Sequence, residues 1–102
     1  MDSFKPNNMS NETVPKKAIR DLMGLGPKSE TQLADVGIFT VEQFLAADPF
    51  DLYAQLKSKQ ANSSLNLLYA MIGAQENIPW QTIAQERKTE ILLRLDDMGI
   101  AP

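Results

Sequence analysis

The fold is decided by the stretch Leu22-Met23-Gly24-Leu25-Gly26-Pro27-Lys28. Two glycines allow a very tight turn, because glycine adopts positive φ without a steric penalty. Leu25 can then point inward and hold the elements on both sides of the turn together. Pro27 is well suited to the first position of the next helix. The apolar spacing before the turn predicts another helix, from Pro15 to Met23.

The same stretch has the features of an anion site. The first turn of a helix presents unpaired N–H groups, and Lys28 adds a cation where the helix dipole disfavours one. Gly26 has no Cβ, so a partner can approach its backbone closely. We therefore predict contacts to nucleic acid or to a partner at Gly24, Gly26 and Lys28. The alternative is a turn that only joins two helices.

From Ile19 to Ala34 the chain resembles the helix-hairpin-helix motif. In many proteins this motif holds a DNA phosphate non-specifically through its glycine turn. The resemblance implies outer phosphate contacts from the basic residues before the turn, which are Lys16, Lys17 and Arg20. The motif departs at Glu30, where DNA-binding versions usually have a small residue and a carboxylate weakens a phosphate contact.

The charge distribution limits how far a DNA-binding hypothesis can extend. The chain has 10 Lys+Arg and 13 Asp+Glu, a net charge of −3, whereas proteins that depend on phosphate contacts are usually basic. The segment from Lys16 to Lys28 is basic, but residues 29–56 contain five acids and no base. Any DNA contact is therefore confined to the first hairpin, and a protein partner is favoured.

A second hairpin follows the first. Gly37 is predicted to end the helix that starts at Pro27, and Gly37-Ile38 repeats Gly24-Leu25 13 residues further along. Thr40 and Gln43 form a capping box for the next helix, and Asp48-Pro49 starts another. The second hairpin lacks a second glycine, so we interpret it as a structural copy.

The second half of the chain predicts a core helix and a broken terminal helix. Residues 65–76 are apolar almost all round, which is typical of a buried central helix. Ser63 or Ser64 is its predicted N-cap. Asn66 is predicted to be buried among apolar neighbours, and a structural hydrogen bond from its amide to a loop backbone is favoured over a ligand contact. Arg87 interrupts the last apolar stripe, so we expect a break near Gln85.

These patterns predict an all-α fold of five or six short helices, with a helix-hairpin-helix-like motif, packed around a buried central helix. Residues 1–14 are polar and aperiodic, so we expect a flexible arm there and a single domain over 15–102. Leu92 and Leu93 lie outside the main apolar stripe of the last helix. They are the candidate surface for a homodimer.

The absence of Cys and His excludes disulfides, Cys/His zinc sites and Ser–His or Cys–His catalysis. We expect no enzyme activity, no cofactor and no metal; the pair Asp96-Asp97 is interpreted as solvated. No segment has the length of a membrane helix or the pattern of a signal peptide, which predicts a cytoplasmic protein without membrane contacts.

Five stretches, in order, carry a more specific resemblance: Leu25-Gly-Pro-Lys-Ser-Glu30, Leu33-Ala-Asp-Val-Gly-Ile38, Thr40-Val-Glu, Ser64-Leu-Asn-Leu-Leu-Tyr-Ala70 and Trp80. The series resembles the C-terminal domain of the TfoX/Sxy competence regulators, over Ala18 to Leu95. It implies a bacterial regulator that promotes expression of DNA-uptake genes with a cyclic-AMP-responsive activator, acting through protein contacts. Full-length members add an N-terminal domain, so we expect the C-terminal domain alone here.

Overall fold

The computed structural model describes residues 17–59 and 63–101. The predicted flexible arm and Lys16 lie outside these ranges. Within them the chain forms six α-helices and no strand, which confirms the all-α prediction. After a 3-10 turn (Ile19–Asp21) come α1 (Pro27–Ala34), α2 (Val41–Ala46), α3 (Pro49–Lys59), α4 (Leu65–Glu76), α5 (Trp80–Glu86) and α6 (Lys88–Asp97).

The predicted helix from Pro15 to Met23 is wrong in the described part. A single 3-10 turn stands there, and Leu22 is already extended (φ −75°, ψ 150°). Two carboxylates explain the difference, because they take backbone N–H groups that a helix would use. The N–H of Ala18 donates to Asp21 (3.0 Å), and the N–H of Arg20 donates to Glu30 (3.2 Å).

The second hairpin forms as predicted. Gly37 has φ +86°, close to the +80° of Gly24, so the two hairpins share the left-handed glycine that turns the chain. The capping box of α2 is also present. The N–H of Gln43 donates to the Thr40 hydroxyl oxygen (3.0 Å), and the N–H of Thr40 donates to the side-chain oxygen of Gln43 (3.2 Å).

The helix α4 is the centre of the core. Its residues 67–74 are all buried, and it packs most extensively against α5 and then against α3. At its C-terminal end Gln75 donates from Nε2 to the carbonyls of Phe44 and Ala47, each at 2.9 Å. These bonds satisfy carbonyls at the end of α2, which has no capping side chain of its own.

Two details at the start of α4 differ from expectation. Ser64 occupies the N-cap position, but its hydroxyl makes no capping hydrogen bond; the neighbouring Ser63 is buried instead and donates to the carbonyl of Leu56 at 3.5 Å. Asn66 is exposed rather than buried. Asn66 lies in the first turn of α4, ahead of the continuous buried run that begins at Leu67.

The terminal segment breaks where its stripe is interrupted. Arg87 separates α5 from α6 with φ −125° and ψ 13°, two residues after the predicted Gln85. Its guanidinium contacts the carboxylate of Glu76 on α4 at 2.7 Å. Beyond the break, Ile91 and Leu95 are fully buried, so α6 turns its predicted stripe into the core.

Candidate functional site

The two glycines of the first hairpin differ in backbone conformation. Gly24 has the positive φ that its turn requires, and Leu25 between the glycines is buried as expected. Gly26 instead is extended (φ −147°, ψ −170°) and serves as the N-cap of α1. Among the described residues, apart from its two chain neighbours, no atom lies within 4 Å of the position that a Cβ would occupy on Gly26. Its backbone is therefore open to approach from outside.

The basic residues before the turn are not equivalent. Lys17 and Lys28 are exposed. Arg20 is engaged with Glu30, since its Nη2 and Nε lie 2.8 Å and 2.9 Å from Oε1. The hydrogen bond from Arg20 lowers the pKa of the Glu30 carboxyl and the same bond raises the pKa of the guanidinium. Glu30 thus offsets the charge of one predicted phosphate contact.

A polar cleft of about 390 Å³ lies where the first turns of α1 and α4 meet. Its walls include Gly24 and Lys28 from the first hairpin, Ser64 and Asn66 from α4, and the half-buried Trp80 of α5. The structure thus brings two of the predicted contact residues together in one concave surface. Asn66, for which the sequence predicted a structural hydrogen bond, and Trp80 belong to the same surface.

A second groove, of about 290 Å³, lies against α1 and the second hairpin. It is lined by Glu30, Thr31, Ala34, Ile38 and Phe39. Phe39 is 68% exposed, more than any other large apolar side chain in the described ranges. Sequence reasoning did not select this residue as a contact residue.

The sequence does contain a signal at Phe39, but that signal predicts burial of the ring and not exposure. The residue before an N-cap often packs against the fourth helical residue as a hydrophobic staple, and here those residues are Phe39 and Phe44. Phe44 is fully buried while Phe39 remains outside. Burial in a staple therefore does not account for the aromatic ring at position 39.

The candidate self-association surface is on α6. Leu93 is 62% exposed and Leu92 is half-buried, as expected from their angular positions. On a helix, residues three and four positions away flank a side chain, and for Leu93 those residues include Glu90, Asp96 and Asp97. This apolar spot is therefore bordered by acids.

Across residues 17–59 and 63–101, no cluster of three or more His, Cys, Asp or Glu side chains could hold a metal ion. The helices in the same ranges are also too short or too polar to cross a membrane.

The fold and its surfaces define a class: a small all-α domain with two successive glycine hairpins packed on a buried helix. Residues 15–95 match the model of the TfoX C-terminal domain family. Because this match covers most of the 102 residues, the chain belongs to the TfoX C-terminal domain family. Comparison with curated proteins and with solved structures returns no significant match.

Proposed function

We propose that this domain is a non-enzymatic bacterial regulatory adaptor that acts in the cytoplasm by binding another protein. The role implied by the TfoX/Sxy resemblance is to promote expression of DNA-uptake genes together with a cyclic-AMP-responsive activator. One observation carries the protein-contact part of the proposal: an aromatic ring, Phe39, stands 68% exposed beside a groove. Exposed aromatic residues next to a concave surface are typical anchors of protein interfaces.

The charges support a protein partner over DNA. Of the cations predicted to contact phosphate, Arg20 is bonded to Glu30 at 2.8 Å, so a phosphate would have to compete with a carboxylate already in place. Lys17 and Lys28 remain exposed. These two lysines, together with Lys16 outside the described residues, provide little of the counterion release on which non-specific DNA binding depends, on a chain of net charge −3.

Transcript levels test the regulatory part of this proposal. The host gene is deleted and complemented with the wild-type chain or with a Gly73→Ala chain, which should be destabilised. Deletion is expected to lower transcripts of DNA-uptake genes, and the wild-type chain is expected to restore them. Unchanged transcripts after deletion would contradict the regulatory role.

A second candidate function is non-specific DNA binding at the first hairpin. It is favoured by the open backbone of Gly26 and by the convergence of Gly24 and Lys28 on the polar cleft. A fluorescent duplex titrated at ~50 mM and higher salt tests it, with a log–log slope of about −0.9 per neutralised phosphate.

Two charge variants separate the outcomes of that titration. If the hairpin binds phosphate, Lys28→Glu abolishes binding, and Glu30→Ala strengthens it because Arg20 is released and one negative charge is removed. Lys88→Glu, at an exposed lysine on α6, makes the same charge change away from the hairpin and is the control. No duplex binding at ~50 mM salt would eliminate this second function and leave the protein partner.

A further inference from the structure

We propose that the polar cleft between the first turns of α1 and α4 binds a small organic anion that carries an aromatic ring. The anionic group, a phosphate or a carboxylate, lies at Lys28, and the ring lies beside the indole of Trp80. This binding site goes beyond the proposed function and does not depend on it.

The charge on the walls of the cleft selects an anion. Among the described residues that line the cleft, Lys28 is the only charged one, and no acid is present. The ammonium group of Lys28 forms no ion pair with another described residue, whereas Arg20 before the same turn is paired with Glu30 at 2.8 Å. Lys28 is therefore available to an anionic ligand on a surface where no carboxylate competes for it.

Two side chains at the start of α4 add hydrogen-bond donors to the cleft. Ser64 occupies the N-cap position, yet its hydroxyl makes no capping bond, and the side chain of Asn66 is exposed. Within residues 17–59 and 63–101 neither side chain has a hydrogen-bond partner. A hydroxyl and an amide can both donate to anionic oxygens, so the donors of one phosphate or carboxylate site are present on one concave surface.

The aromatic and apolar part of the lining suits a ring. Trp80 is half-buried, and its Cδ1 atom lies 3.9 Å from the position that a Cβ would occupy on Gly24. Leu67 and Ala70 line the same cleft and are each 8% exposed. Because aromatic rings pack favourably against an indole, the cleft provides a ring surface as well as an anion contact.

The cleft is formed by parts of the chain that the fold already holds in place. Ser63, which also lines the cleft, is buried and donates to the carbonyl of Leu56 at 3.5 Å. Leu67 belongs to the hydrophobic core. A preformed surface of this kind binds a ligand without a large ordering cost.

The size of the cleft and its single cation limit the ligand. Sites for small molecules typically enclose about 300–1,000 Å³, and the volume of about 390 Å³ lies in the lower part of that range. It suits one ring and one anionic group. One cation is sufficient for a single anionic group, whereas non-specific duplex binding needs many phosphate contacts. The charge balance that disfavours DNA is therefore compatible with a small anion.

Tryptophan fluorescence tests this assignment directly, because Trp80 is the only tryptophan of the chain. The full chain is titrated with phenyl phosphate and with benzoate, which represent the two kinds of anionic group. We expect at least one of them to change the emission to saturation below about 10 mM and to bind less tightly as salt rises. Methyl phosphate, which lacks the ring, and benzyl alcohol, which lacks the charge, should each bind at least about tenfold more weakly.

Two substitutions in the cleft are each matched by a control elsewhere. Lys28→Gln should lower the affinity about tenfold, whereas Lys88→Gln, at an exposed lysine of α6, should leave it unchanged. Asn66→Asp places an acid in the cleft and should abolish binding, although an acid in the first turn of a helix favours the helix itself. Gln55→Glu, at an exposed glutamine of α3, adds the same charge outside the cleft. Circular dichroism confirms that each variant is folded.

The outcomes separate this site from the proposed functions. Absence of a saturable change with both anions, equal affinity for methyl phosphate or benzyl alcohol, or unchanged affinity of Lys28→Gln would each overturn the assignment. If transcripts of DNA-uptake genes nevertheless fall on deletion, the regulatory function stands without this site. If duplex DNA binds through Lys28 while neither small anion binds, the first hairpin serves DNA and the small-anion site is wrong.

Discussion

The guanidinium of Arg20 and the carboxylate of Glu30 join the first hairpin across its turn, with Nη2 of Arg20 2.8 Å from Oε1 of Glu30. The other oxygen, Oε2, accepts the backbone N–H of Arg20 at 3.2 Å. One carboxylate therefore holds both the side chain and the backbone of the 3-10 turn against α1. The residue that departs from DNA-binding hairpins thus has a structural role in this one.

We expect Glu30→Gln to lower the midpoint of urea unfolding at pH 7, because the amide cannot accept charge-assisted bonds from Arg20 at both oxygens. Arg20 lowers the pKa of the Glu30 carboxyl in the folded state. Its stabilising contribution is therefore present above the carboxyl's unfolded pKa and is lost as pH falls through the folded pKa. The difference between wild type and variant should therefore shrink as the pH is lowered below the usual titration range of a glutamate.

The matched control for this pH series is Glu86→Gln, at an exposed acid that ends α5. It should show a smaller difference from wild type at pH 7. A constant gap between wild type and Glu30→Gln over the whole acid range would contradict the assigned ion pair.

The sequence predicts the parts of this fold that depend on local rules. Thr40 and Gln43 are three residues apart, and that spacing alone defines their capping box. The central helix follows equally from the apolar circumference of residues 67–74. The first turn was missed because its form depends on Glu30, ten residues away from Arg20, and periodicity carries no information about such a pairing.

Gln75 provides a second long-range contact that can be tested. Its Nε2 donates to the carbonyls of both Phe44 and Ala47. Gln75→Ala therefore removes one donor from each carbonyl, although the Phe44 carbonyl keeps the bond from the N–H of Ala47. We expect the free energy of unfolding to fall by about 1–3 kcal/mol, measured by urea denaturation. Gln81→Ala, at an exposed glutamine of α5, is the control. Equal loss in both variants would show that these carbonyls gain nothing from Gln75.

Gly73 lies in the buried part of α4, where two effects of a methyl group oppose each other. Alanine is favoured over glycine in a helix by about 1 kcal/mol, but a Cβ at position 73 would overlap the backbone carbonyl of Ile78. The N–H of Ile78 also donates to the Gly73 carbonyl at 2.8 Å, so the backbone cannot move away freely. We expect the overlap to prevail and Gly73→Ala to destabilise by about 1–3 kcal/mol.

Thermal unfolding measures this difference, with Gly26→Ala as the paired variant. Gly26 is extended and has open space at its Cβ position, so its replacement should be close to neutral. A Gly73→Ala chain as stable as wild type would contradict this prediction, because it would show that the backbone between α4 and α5 can shift to accommodate the methyl group.

At Tyr69, by contrast with Gly73, we expect a substitution to stabilise the fold, because it removes one polar atom. Its hydroxyl is buried and has no hydrogen-bond partner in the described part of the chain. A buried polar group without a partner loses its hydration and gains nothing in return. Tyr69→Phe is therefore expected to raise the free energy of unfolding by about 1 kcal/mol, measured by urea denaturation with the slope unchanged. A loss of stability would reveal a bound water or another partner for the hydroxyl.

The candidate sites were predicted less completely than the fold, for a physical reason. Gly24 and Lys28 are marked by the turn chemistry that they share, and the structure does place both in one cleft. Phe39 carries no comparable mark, because an apolar residue before an N-cap usually indicates burial. Its exposure depends on how the second hairpin packs, which only the folded chain reveals.

Leu93 remains the candidate for self-association through α6, and sedimentation tests it. The wild-type chain is expected to show a larger mean mass at high concentration than Leu93→Glu, because a charge replaces an apolar contact that is 62% exposed in the monomer. Added salt should favour association, since it screens the acids Glu90, Asp96 and Asp97 that border the leucine. Leu45→Glu, at an exposed leucine of α2, controls for the new charge. A monomer in both wild type and Leu93→Glu at all salt concentrations would exclude a dimer through this helix.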